Sequence, residues 1–81
     1  MKNILIVDDE EAFVESLSTG LVNYAPDFLV LKAHNGRQAI QVLESTPVDL
    51  IITDLRMPEM DGFELLAYMG THFPSIPIIV I

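Results

Sequence analysis

Two short apolar runs, each ending abruptly at a carboxylate, constrain this chain more than any other feature. Ile4-Leu5-Ile6-Val7 is continuous, β-branched and ends at Asp8-Asp9. The segment Val48 to Thr53 is similar and ends at Asp54. A strand with one wet face alternates polar and apolar residues. Runs that do not alternate imply burial on both faces, as in a parallel sheet. Phe28 to Leu31 and Ile78 to Ile81 supply two further runs.

Helical patterns fill the intervals. Phe13, Leu17, Leu21 and Tyr24 recur every three or four residues and predict the inner face of a first helix, which Pro26 ends or follows. Asn35 is placed to cap a second helix with Ala39, Ile40 and Leu43 inward, broken by Ser45-Thr46-Pro47. Asp61 is placed to cap a third, with Phe63, Leu66 and Met69 or Gly70 inward, before the turn bracketed by Pro74 and Pro77. Strand and helix therefore alternate through four strands and three helices, which predicts an α/β fold with right-handed crossovers. The 81 residues suffice for one small domain, without repeats or linkers. The last apolar run reaches Ile81, and an uncovered parallel edge strand is unfavourable. The expectation is a fragment of a larger domain, or else a fold completed by another chain.

Charge and composition narrow the function. Twelve acidic and four basic residues give a net charge of −8. Lys2, Lys32, Arg37 and Arg56 are scattered, so direct binding to nucleic acid or to an anionic membrane is not expected. The absence of cysteine excludes disulfides and thiolate sites. No signal-peptide pattern or membrane-length apolar stretch occurs, and a cytoplasmic location is expected. Glu10 and Glu11 read as a solvated helix start.

In open α/β sheets, sites form at the carboxyl ends of the strands. If the first and third strands are neighbours, Asp8, Asp9 and Asp54 converge there. Such a cluster persists only if it takes up protons or surrounds a cation, and oxygen donors alone suit Mg²⁺. The plainer alternative is that Asp8 or Asp9 caps the first helix. That does not account for Asp54, which has no helix start immediately after it. Within Asp54-Leu55-Arg56-Met57-Pro58-Glu59-Met60-Asp61-Gly62, Pro58 fixes a turn and Asp61-Gly62 marks the next helix.

An apolar strand, Asp-Asp, a later strand ending in Asp, then x-x-Met-Pro-x-Met-Asp-Gly resembles the response-regulator receiver family of two-component signalling. Asn35-Gly36-Arg37-Gln38-Ala39 is similar to the start of that family's second helix, and the likeness runs through all 81 residues. The resemblance implies a flavodoxin-like parallel sheet of strand order 2-1-3-4-5, here stopping after the fourth strand. It implies Asp54 as phosphoacceptor, Asp9 as a direct Mg²⁺ ligand and Asp8 as a ligand through water. It also implies the main-chain carbonyl of Arg56 in the metal shell, with Met57, Pro58 and Gly62 shaping the loop. The implied donor is a sensor histidine kinase or phosphotransfer protein. The implied readout is an output domain, a second receiver, or a dimer or swapped assembly.

The family also uses a Ser or Thr after the fourth strand, and an aromatic residue on and a Lys after the fifth. Those positions, with a fourth helix, fifth strand and fifth helix, lie beyond the 81 residues. Residues 1–81 are thus expected to be an incomplete receiver domain, a signalling phosphoacceptor rather than an enzyme. Two other readings stand beside it: a receiver-like interaction module that is never phosphorylated, and a phosphatase with an aspartate nucleophile. The last usually carries Asp-x-Asp, where this chain has Asp8-Asp9-Glu10. His34 reads as a loop residue, and His72 as the end of a helix.

Overall fold

The structure, a computed structural model, describes residues 2–54 and 62–81. Its elements run β1 (Lys2–Val7), α1 (Glu11–Tyr24), β2 (Phe28–Ala33), α2 (Gly36–Ser45), β3 (Leu50–Thr53), α3 (Gly62–His72) and β4 (Ile78–Val80). The strands form one sheet of order β2-β1-β3-β4, and every pairing is parallel. This is the α/β arrangement expected, with the central strands β1 and β3 carrying the acids.

Strand alternation divides the core in two. Leu5, Val7, Ala33 and Ile51 face α2 and α3 and pack with Ala39, Leu43, Leu65 and Met69. Ile4, Ile6 and Ile52 face the other way and pack with Val14 of α1, flanked by Leu17 and Leu21. Burial of β1 on both sides explains why its run does not alternate.

The helix faces differ in part from the sequence expectation. On α1 the buried residues are Val14 and Ser18, with Leu17 and Leu21 half-buried. These positions follow the i, i+3, i+4, i+7 spacing of a single stripe. Phe13 lies on the margin of that stripe, and Tyr24 is 93% exposed beyond its end. On α3, Leu65 and Met69 are buried one turn apart, whereas Phe63 and Gly70 are exposed and Leu66 is half-buried. The expectation for α2 holds, with Ala39 and Leu43 buried and Ile40 packed beside them.

Strand limits also shift. β2 extends to Ala33, β3 starts only at Leu50 with buried Val48 ahead of it, and β4 ends at Val80. Asn35 caps α2 as expected, its Oδ1 accepting from the Gln38 N–H at 2.8 Å. Gln38 Oε1 reaches back to accept from the His34 N–H at 2.8 Å. Asp61, expected to cap α3, lies outside the described residues. His72 does end α3, as expected. Ile79, Val80 and Ile81 are each about half exposed along the β4 edge. No described helix is long and apolar enough to cross a membrane.

Candidate metal and phosphoryl site

The site follows from the register of two strands. Val7 is paired with Thr53 in the last rung between β1 and β3. The Asp54 N–H donates to the Val7 carbonyl at 3.1 Å, and the Asp8 N–H donates to the Ala33 carbonyl at 3.1 Å. The ladder therefore continues one residue past each strand, and Asp8 and Asp54 leave it side by side. By alternation both belong to the face of Ile6 and Ile52, the side of α1.

Asp8, Asp9 and Asp54 each offer a carboxylate oxygen within 4.8 Å of the others. Asp8 is buried, Asp54 half-buried and Asp9 exposed. Neither aspartate of the first pair caps α1. The cap position is Glu10, whose side chain makes no capping bond. Asp8 Oδ1 instead accepts from the Glu10 N–H at 2.9 Å, closing the turn that leads into the helix.

Like charges this close repel by about 3 kcal/mol per pair at an effective dielectric near ~20, less where water screens Asp9. Asp8 registers the strain. Burial pushes its carboxyl above the ordinary value of 3.8, and the neighbouring Asp54 and Asp9 add to the rise. The Glu10 N–H opposes it without cancelling it. An all-oxygen, anionic donor set of this size fits a hard divalent cation such as Mg²⁺, which removes the repulsion by its own charge.

Of the residues expected at the site, Asp8, Asp9 and Asp54 are thus brought together. Arg56, Met57 and Pro58 lie outside the described residues, and Gly62 opens α3. One residue was not anticipated. Thr53 is fully buried and its hydroxyl donates to the Asp54 carbonyl at 3.0 Å. Its only trace in the sequence is that a hydroxyl closes an otherwise aliphatic strand. A second, at the far end of β1, is Asn3. Its Nδ2 donates to the Pro47 carbonyl at 2.6 Å, its N–H donates to Asp49 Oδ2 at 2.7 Å, and its carbonyl accepts from the Asp49 N–H at 2.8 Å.

Comparison with known proteins gives the same reading. The chain is 37% identical over 79 residues to the transcriptional regulatory protein GlrR of Escherichia coli, covering 98% of this chain and 17% of that protein. It is 39% identical over 79 residues to a protein-glutamate methylesterase/protein-glutamine glutaminase of Treponema denticola, covering 96% of this chain and 21% of that one. The chain therefore spans only about a fifth or less of these two relatives. Among solved structures it superposes on the response regulator TrrA of Thermotoga maritima, determined in complex with Mg²⁺ and BeF, with a TM-score of 0.91. That match has 32% identity and covers 99% of this chain and 68% of that chain. Residues 4–81 match the response regulator receiver domain. With the strand order and the grouped acids, this establishes that the chain belongs to the receiver family of two-component response regulators and has its flavodoxin-like fold.

Proposed function

We propose that this chain is a phosphoacceptor module that takes a phosphoryl group on Asp54 in a Mg²⁺-dependent reaction and thereby switches an attached or associated output. The observation that carries this reading is the meeting of Asp8, Asp9 and Asp54 at the carboxyl ends of β1 and β3.

Each carboxylate has a different part. Asp8 is the buried member and one of its oxygens accepts from the Glu10 N–H, which suits it to act through water, while the more exposed Asp9 and Asp54 would hold the ion directly. When bound, Mg²⁺ supplies positive charge against the phosphoryl oxygens and against the three acids. An Asp54 carboxylate oxygen attacks phosphorus, a P–O bond forms and the P–N bond to the donor imidazole breaks. The imidazole nitrogen keeps the electron pair and takes a proton. The product is an acyl phosphate on Asp54. A sensor histidine kinase or phosphotransfer protein is the proposed donor. The half-exposed Ile79, Val80 and Ile81 support a reading in which further chain, or a second chain, covers the β4 edge in the working protein.

Incubation of the full chain with Mg²⁺ and acetyl phosphate tests this. The intact mass should rise by one phosphoryl group, and the gain should vanish with EDTA and in Asp54→Asn. A chain that gains nothing, or an Asp54→Asn variant that gains as much, overturns it. An interaction module that is never phosphorylated would show neither the mass gain nor Mg²⁺-induced NMR shifts around Asp9 and Asp54.

A further inference from the structure

Thr53 is the one polar residue of β3, and it is wholly buried. It shares the α2–α3 face with Ile51, where the surrounding core side chains are apolar. A valine has the same shape and would fill the same space without a hydroxyl to satisfy. A buried hydroxyl costs free energy unless it is hydrogen-bonded, so its partner indicates what it does. That partner is the carbonyl oxygen of Asp54, at 3.0 Å.

The Asp54 main chain is thereby held on both sides of its Cα. Its N–H is fixed to the Val7 carbonyl at 3.1 Å, and its carbonyl is fixed by Thr53. In a regular strand the carbonyl lies near the sheet plane, pointing to a neighbouring strand. A bond from the preceding side chain draws it toward the α2–α3 face. The Asp54 side chain belongs to the opposite face, with Asp8. Holding the carbonyl down on one side limits how far the carboxylate can swing on the other.

We propose that Thr53 is a positioning residue for the acidic site, acting through the main chain of Asp54. Its hydroxyl fixes the peptide that carries the phosphoacceptor, while its methyl group serves the core. The inference rests on the proposed function, since it concerns how well Asp54 is held for metal and phosphoryl binding.

The test compares Thr53→Val and Thr53→Ser with the wild-type full chain. Three quantities are measured: Mg²⁺ affinity by calorimetry, the rate of phosphoryl uptake from acetyl phosphate, and the metal-free Tm. Loss of one hydrogen bond of typical net strength predicts about a five-fold fall in affinity or rate for Thr53→Val. Its Tm should fall by no more than the few degrees that one hydrogen bond is worth, since shape and apolar contact are kept. Thr53→Ser should remain within about two-fold of the wild type in binding and rate, because it keeps the donor. A Thr53→Val chain matching the wild type in both readouts overturns the proposal and leaves the function of Asp54 intact. So does a Thr53→Ser chain as impaired as Thr53→Val, or an affinity that falls only in step with Tm, since either would make packing the cause. A wild-type chain that binds no Mg²⁺ and gains no phosphate brings down both readings.

Discussion

Val7 and Thr53 form the last rung between the two central strands, and that pairing sets Asp8 beside Asp54. The opposite end of the same strand pair is closed by Asn3, tied by three hydrogen bonds to Pro47 and Asp49. A strand slip by one residue would turn Asp54 to the other face of the sheet. The clasp at one end of β1 and the acids at the other are therefore parts of one arrangement.

Asp49 is the member of the clasp whose removal is easiest to read. Asp49→Ala deletes the carboxylate bonded to the Asn3 N–H but leaves the backbone bond between the same residues. The site is exposed, so water can replace the lost partner, and a destabilisation of about 0.5–1.5 kcal/mol is expected. In a domain of this size that is a fall of about 4–8 °C in Tm per kcal/mol. Thermal unfolding followed by circular dichroism checks it. No change in Tm would mean that the clasp follows the register and does not help to set it.

Two helical glycines offer the opposite effect. A Cβ added at Gly20 of α1 or Gly70 of α3 would meet nothing within 4 Å. Alanine is favoured over glycine inside a helix by about 1 kcal/mol, chiefly because the unfolded chain has less freedom to lose. Gly20→Ala and Gly70→Ala should each raise stability by about that amount, additively, because the helices lie on opposite faces of the sheet. Urea denaturation of the two single variants and the double variant measures it. A loss of stability in either would show that the position is not open.

What the sequence disclosed, and what it withheld, follow from the range of the forces involved. β1 was legible because burial on both faces leaves an unbroken aliphatic run, and the cap of α2 was legible because Asn35 acts within three residues of itself. The acids could be grouped once β1 and β3 were taken as neighbours. The inner faces of α1 and α3 were less legible. Phe13 and Tyr24 keep a helical period with Leu17 and Leu21 but lie at the margin and past the end of the buried stripe. Phe63 shares a period with the half-buried Leu66 rather than with the buried Leu65 and Met69. Asn3 left no signal because its partners, Pro47 and Asp49, are chosen by tertiary register, which no local pattern encodes. Thr53 left only a hydroxyl at the end of an aliphatic strand, and its bond to the next residue's carbonyl depends on the rotamer that burial selects.

Asp8 should make stability depend on acidity in a defined direction. Its carboxyl in the folded chain holds its proton to a higher pH than the ordinary value of 3.8, mainly through burial and then through Asp54 and Asp9. Between those two values the folded state binds more protons than the unfolded state, so this group's contribution to stability falls as pH rises through the window. Below the window both states are protonated and the contribution is fully present. Asp8→Asn should remove that component. It should also stabilise the metal-free chain at pH 7 by about 1 kcal/mol, or about 4–8 °C in Tm. Denaturation curves from pH 4 to 7 without divalent ions test both. An Asn variant less stable than the wild type at neutral pH would mean that the turn bond from Glu10 outweighs the repulsion.

Divalent cation should reverse the same penalty. An ion that binds only the folded chain stabilises it by RT ln(1 + [L]/Kd), about 1.4 kcal/mol at ten times Kd, or a rise of about 5–10 °C in Tm. The gain should be large near pH 7 and shrink toward pH 4, because a protonated Asp8 leaves less negative charge to attract the ion. It should also shrink in Asp9→Asn and Asp54→Asn, each of which removes a donor from the cluster. NaCl at matched ionic strength controls for screening, which relieves repulsion between charges without requiring a site. Equal stabilisation by NaCl and MgCl₂, or an effect of Mg²⁺ that survives in both Asn variants, would show that the three carboxylates are only a charged surface and do not bind an ion.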